Sequence, residues 1–160
     1  MDTVHLQKVS AHEMDQGLLN QAVGFFNAAS RCFSNIAISP LIQNSPMTAG
    51  VVCSAFSVEL YLKLVHVLST GKPIKGHKLL ELFESLPEQA QSNISTKFGD
   101  SNLKQLLAEA SNAFVEWRYE HEHEGLTINP SFLLATAKAC HLVAKEMKPE
   151  LTVFGENVTV

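Results

Sequence analysis

Residues 51–67 carry two adjacent apolar stripes at helical spacing, Val51, Ala55, Val58, Leu62 and Val65, and beside them Val52, Phe56, Leu60, Leu64 and Val67. An ordinary surface helix has one apolar arc and a polar face, so a helix apolar over this much of its circumference has to be covered on several sides. The pattern predicts a central helix in a bundle. Asn44-Ser45-Pro46 offers a cap and a proline at its first turn, and Gly71-Lys72-Pro73 ends it with a glycine cap and a following proline. The most apolar part, residues 49–58, meets Glu59 and Lys63 well short of a bilayer span, so a core helix is expected here and no membrane segment.

The flanking segments supply the partners. Ser10-Ala11-His12-Glu13 has capping-box spacing and opens an amphipathic helix with Leu18, Ala22, Phe25, Ala29 and Phe33 on its stripe. Gly76-His77-Lys78-Leu79-Leu80-Glu81-Leu82-Phe83 opens a short helix punctuated by Pro87, and Ser85 to Glu88 repeats the capping-box spacing for another. After the break at Gly99-Asp100, Leu103, Leu107, Ala110, Phe114 and Trp117 line a long helix whose next stripe position is His121. Asn129-Pro130 caps the last helix, with Phe132, Ala135, Ala139, Leu142 and Met147 as its stripe and Pro149 as its stop. No alternating run suits a sheet. The expected class is all-α, an antiparallel, up-and-down helical bundle of four longer helices plus one or two short helices. Residues 1–150 form its single domain and residues 151–160 an irregular or extended tail.

A chain of 160 residues is long enough to bury a core, and its formal charge of −4 with a pI near 5.9 excludes a surface that is basic throughout. Contact with nucleic acid would therefore be local. Lys72, Lys75 and Lys78 after the central helix, and Lys138, Lys145 and Lys148 on the last, read first as solvated helix ends and faces. The three cysteines, Cys32, Cys53 and Cys140, are far apart and lie among apolar residues, as buried core thiols in a reducing, cytoplasmic setting would. The first residues have neither the basic start nor the apolar run of an export signal.

Chemistry concentrates in Phe114-Val115-Glu116-Trp117-Arg118-Tyr119-Glu120-His121-Glu122-His123. Arginine forks onto phosphate oxygens at any physiological pH, and histidine moves a proton near neutrality, so the pairing points to nucleic acid or nucleotide. On an unbroken helix a residue five positions on lies about 140° round and one three positions on about 60° away. His121 is then the nearer partner of Arg118, whereas a break near Glu120 or Glu122 lets His123 swing back. A structural reading stands beside this one, with His121 at the edge of the core and Arg118 paired to Glu122. Glu59 and Lys63 are spaced as an intrahelical ion pair, and His66 extends that polar stripe. His77 reads either as a residue holding the loop at 71–76 or as part of the same cleft. Alternation in Glu120-His121-Glu122-His123-Glu124 does not place metal ligands on one side of a helix, and neither a metal nor another cofactor is expected.

The run Phe56-Ser57-Val58-Glu59-Leu60-Tyr61-Leu62-Lys63-Leu64, the later Gly76-His77-Lys78-Leu79, and Phe114-Val115-Glu116-Trp117-Arg118-Tyr119 with its histidines together resemble the HEPN family of small helical-bundle domains, over roughly residues 48–147. The resemblance implies a bundle that dimerises and, in catalytic members, a metal-independent endoribonuclease whose arginine precedes a histidine by four to six residues. Arg118 and His123, with four residues between them, match that spacing. It also implies His123 or His121 as acid or base and Arg118 as the phosphate clamp, with Tyr119, Glu59, Lys63 and His77 as binding residues. The setting would be stress response, a toxin–antitoxin pair or phage defence. Tyr119 stands where active members often carry a small polar residue, and Glu120, Glu122 and Glu124 repel an approaching phosphate. The alternative is a non-catalytic dimerisation or partner-binding module, for example with a nucleotidyltransferase.

Overall fold

Met47 to Thr70 form one uninterrupted helix in the computed structural model of the protein, which describes residues 10–34, 47–111 and 130–153. In chain order the helices are α1 (Ala11–Phe33), α2 (Met47–Thr70), α3 (Leu79–Glu84), α4 (Glu88–Phe98), α5 (Leu103–Ala110) and α6 (Pro130–Met147). No strand occurs among the described residues, and the class is an all-α helical bundle, as expected.

Local chemistry sets most of the boundaries. At the start of α1 the Ser10 hydroxyl accepts the Glu13 N–H at 3.2 Å and the Glu13 carboxylate accepts the Ser10 N–H at 2.8 Å. These two hydrogen bonds complete the predicted capping box and hold the Glu13 carboxyl below its ordinary range. Gly71 (φ 70°) and Gly99 (φ 82°) stop α2 and α4 in the left-handed conformation that a Cβ would strain. The capping box expected from Ser85 to Glu88 does not form. Ser85 still has helical backbone angles, and its hydroxyl folds back to donate to Leu82 O at 2.6 Å, which leaves Pro87 at the N-cap of α4 with no side-chain cap.

Contacts between α1 and α2 run in opposite directions along the two chains. Phe33 lies against Gly50, the Phe25 ring stacks on Phe56 at 5.0 Å, and the buried Ser57 hydroxyl donates to Ala22 O at 2.8 Å. The pair is therefore antiparallel. Lys148 reaches Asp15 at 2.8 Å, and Lys138 lies 6.0 Å from the centre of the Phe26 ring, so α6 also runs antiparallel to α1. α6 also packs on α2, where Tyr61 and His141 share a 3.0 Å hydrogen bond. The short helices close the rest: α3 packs on α2 and α5, and α4 packs on α6.

This arrangement meets the demand made by α2. Val51, Ala55, Val58, Leu62 and Val65 are all buried, and so are Leu64 and Val67 of the second stripe, while Val52, Phe56 and Leu60 are half-buried at its edge. Among the described residues α2 is also the one helix long and apolar enough by composition to cross a membrane. Here its apolar surface is taken up by the neighbouring helices. On α1, Leu19, Ala22 and Ala29 are in the core, and the expected stripe residues Leu18 and Phe25 sit at its margin.

One expectation is corrected in part. Of the stripe predicted for the last helix, Ala139 is buried and Phe132 and Ala135 are half-buried, but Leu142 is 50% and Met147 41% exposed, and α6 also buries Leu133, Thr136, Ala137, Cys140, Val143 and Ala144. Its apolar residues cover more than one arc, and the positions with small residues, Ala137, Ala139 and Ala144, face the core because they let α6 approach its partners closely. Thr136 is tolerated there because its hydroxyl donates to Phe132 O at 2.8 Å. The start of the segment read as a tail is tied to the bundle. Residues 151–153 are irregular, but Leu151 is fully buried, Lys145 donates to its carbonyl, and the Gln16 side chain bonds both the N–H and the carbonyl of Thr152. On α5, Leu103, Leu107 and Ala110 are buried as predicted, and Phe114 and Trp117 lie outside the described residues.

Glycines on the two sides of the α1–α2 contact should respond oppositely to an added methyl. Nothing lies within 4 Å of a Cβ built on Gly24, so Gly24→Ala gains helix propensity and stabilises by about 0.5–1 kcal/mol. A Cβ on Gly50 would lie 2.6 Å from the Phe33 ring and 3.0 Å from Cys32 Cβ, so the same gain is offset by overpacking of about 1–3 kcal/mol. Urea unfolding should raise the midpoint for Gly24→Ala and lower it for Gly50→Ala.

Candidate functional site

Most of the α2 circumference is apolar, yet Glu59 is buried in it with its side chain 5% exposed. A carboxylate in such a place needs partners that replace water. Lys63, one turn on, brings Nζ to 2.6 Å from Oε1, and His77, from the loop after the helix, brings Nδ1 to 3.0 Å from the same oxygen. The three residues that the sequence reading linked only by spacing and resemblance are therefore one cluster.

The path that returns His77 to α2 is built from the end of the helix. Gly71 reverses the chain, and the Thr70 hydroxyl donates to His66 O at 2.8 Å and accepts the Lys72 N–H at 3.2 Å. His66 Nδ1 lies 3.0 Å from Lys72 O, so His66 braces the loop and does not join the Glu59 carboxylate. Beyond His77, the buried Leu79 starts α3, and Leu80 N–H donates to the Ser111 hydroxyl at 3.1 Å. Lys78 faces outward and pairs with Glu81 at 2.8 Å, which raises its ammonium pKa through the hydrogen bond and the charge of Glu81.

The electrostatics fix the state of the cluster. Lys63, 19% exposed, supplies the counter-charge to Glu59. A carboxylate paired with an ammonium only accepts hydrogen bonds, so His77 Nδ1 carries the proton directed at Oε1. The opposite edge of the ring, Nε2, belongs to a side chain that is 72% exposed. The arrangement resembles a carboxylate-oriented histidine: one nitrogen anchored, the other offered to solvent as acceptor when neutral and as donor when protonated.

Arg118, Tyr119, His121 and His123 lie outside the described residues. Among the described residues no group of three or more His, Cys, Asp or Glu side chains is placed to hold a metal ion. Of the thiols expected in the core, only Cys140 is fully buried, and burial pushes it up to about 12; Cys32 and Cys53 are half-buried between α1 and α2. Burial, with the neighbouring Cys32, also raises the Cys53 thiol, which works against a nucleophilic role. Sequence reasoning missed the Tyr61–His141 pair. Tyr61 was read within the helix-forming run and His141 not at all, and burial raises the Tyr61 hydroxyl so that it stays protonated beside the imidazole. A histidine four residues before Lys145 on the last helix was the available signal.

With this geometry in place, comparison with known proteins adds one finding. The family model described as HEPN domain matches residues 16–148, most of the chain. No curated protein and no solved structure gave a match.

Removing one member of the buried pair should cost more than removing both. Glu59→Ala leaves the Lys63 ammonium facing an apolar wall and should lower unfolding free energy by about 3 kcal/mol. A Glu59→Met/Lys63→Met double variant should be less destabilised than the sum of the single Met variants by at least about 1 kcal/mol in a chemical-denaturation cycle. Iodoacetamide at pH 8 should alkylate Cys32 and Cys53 in the native protein and reach Cys140 only on unfolding, as mass spectrometry of the peptides will report.

Proposed function

The chain belongs to the HEPN domain family, and we propose that it is an RNA- or nucleotide-binding member whose phosphate chemistry is carried by Arg118, His121 and His123. The single observation that carries this reading is the family match over residues 16–148, which includes an arginine followed after four residues by a histidine. Tyr119, beside the arginine, supplies a ring on which a base stacks.

Metal-free RNA cleavage asks for few groups. A base removes the proton of a 2′-hydroxyl, the 2′-oxygen forms a bond to the adjacent phosphorus, the bond from phosphorus to the 5′-oxygen breaks, and an acid returns a proton to that oxygen. The products are a 2′,3′-cyclic phosphate and a free 5′-hydroxyl. Arg118 neutralises the crowded phosphate, and a histidine serves each proton transfer. One imidazole is not base and acid in the same step, so the reading includes a homodimer in which two copies of the segment share one cleft. It places the protein in the cytoplasm, in stress response, phage defence or a toxin–antitoxin pair.

A specific observation favours a second reading. Glu120, Glu122 and Glu124 alternate with the histidines in the sequence, and Tyr119 stands in place of the small polar residue expected after the arginine. Both suit a non-catalytic dimerising module that seats a partner such as a nucleotidyltransferase.

Incubation of an end-labelled, mixed-sequence RNA pool in EDTA separates the two. Cleavage by the wild type to cyclic-phosphate ends, reduced at least about a hundredfold by Arg118→Ala and by His123→Ala, is the expected result. Absence of cutting by a folded, dimeric wild type would transfer the proposal to the scaffold.

A further inference from the structure

We propose that the loop of residues 71–78 is a phosphate-binding surface, with the Glu59-anchored His77 and the side chains of Lys72 and Lys75 as its donors. The inference rests on the RNA- or nucleotide-linked reading above and assigns it a second contact region, on a different segment from Arg118.

Charge counting comes first. The charge of Glu59 is already balanced by Lys63 at 2.6 Å, so the cluster does not need a protonated His77 for neutrality. The imidazole is held by one edge only: Nδ1 is 3.0 Å from Glu59 Oε1, and among the described residues Nε2 has no hydrogen-bond partner. The Nε2 edge faces solvent, and in the imidazolium form it donates to a phosphate oxygen while Nδ1 keeps its hydrogen bond to Glu59. Lys78 is engaged by Glu81, but Lys72 and Lys75 are exposed and have no ion pair among the described residues. In a chain of net charge −4 this makes the loop a local concentration of positive charge that no described acidic group neutralises.

Order in the loop is the second argument. Backbone groups of Lys72 are tied to His66 and Thr70, and His77 is tied to α2, so both ends of the segment are fixed before any ligand arrives. Binding then costs little ordering entropy beyond the lysine side chains themselves. The combination of one fixed imidazole with two flexible ammonium groups suits phosphate oxygens spread along a strand, where lysines act as point charges and the histidine sets the register.

The test reads His77 directly and does not depend on catalysis. Diethylpyrocarbonate carbethoxylates neutral imidazole, and mass spectrometry follows each histidine separately, with the exposed His12 at the start of α1 as internal reference. A short single-stranded RNA should slow modification of His77 at least about fivefold and leave His12 unchanged, a protection governed by the phosphate contact. Glu59→Gln should weaken that protection. In parallel, fluorescence anisotropy should show the wild type losing RNA affinity with salt, and Lys72→Ser/Lys75→Ser should reduce the slope of log K against log salt by about 1.4, two contacts at about 0.7 each. Adenosine monophosphate is the second probe: protection by RNA alone assigns backbone phosphodiesters, and protection by both assigns a phosphate site that also takes free nucleotide.

RNA that binds without protecting His77, and with the salt slope unchanged in the lysine variant, would overturn the loop site and leave the RNA reading standing. Equal protection by polyglutamate would reduce the loop to an unselective basic patch and also overturn the proposal. No RNA or nucleotide binding by the folded wild type would remove both.

Discussion

Glu59 carries a carboxylate on the helix that both α1 and α6 pack against, and that conflict organises the path of the chain from α2 into α3. Desolvating a carboxylate costs several kcal/mol unless its oxygen atoms are given donors in good geometry. Two donors converge on one oxygen. Lys63 is provided by the helix itself, four residues on, but His77 has to be brought back from eighteen residues away. The left-handed turn at Gly71, the ties from Thr70 and His66 to Lys72, and the entry into α3 at Leu79 follow the course that this return requires.

Different forces join along α2. Toward its start the helix meets α1 through Phe33 against Gly50, the Phe25 ring on Phe56 and the Ser57 hydroxyl donating to Ala22 O. From Glu59 onward a charge cluster is added on one face, while Leu62, Leu64 and Val65 stay fully buried. Apolar contact is short-ranged and indifferent to ligands, whereas a hydrogen-bonded charge cluster with an exposed imidazole at its edge responds to an anion. The packed scaffold and the charge cluster in this way share a single helix.

Much of this was legible in the residues. The double stripe on residues 51–67 implied a central helix because few other surroundings bury so much circumference, and the capping box at Ser10 to Glu13 marked a boundary to the residue. Spacing paired Glu59 with Lys63, but nothing local could show that His77 would close onto the same oxygen, since that contact depends on the path of a loop. The errors have the same physical origin. Ser85 was read forward as a cap when its backbone was already spent on the preceding turn, and α6 offered more than one apolar arc, the choice among which depends on how closely its partners approach. Lys148, read first as a solvated cation, reaches the buried Asp15, and nearby Leu151 is buried as well. The segment from Phe114 to His123 remains where the sequence reading left it, as the proposed seat of the phosphate chemistry.

Holding one buried charge with two donors of different kind has a functional consequence. Had Lys63 been the sole partner, the pair would be internally neutral and closed, because an ammonium spends its charge on the carboxylate it faces. Had His77 been the sole partner, its proton would be committed to neutralising Glu59 and its outer edge would carry no spare charge. With both present, the lysine supplies the counter-charge and the histidine is held in one orientation, so its Nε2 edge is left for whatever approaches it. An exposed histidine on a free loop would sample many orientations and give up entropy on every encounter. Anchored through Nδ1, it meets a ligand in one orientation, and the buried carboxylate becomes a device for positioning a surface group.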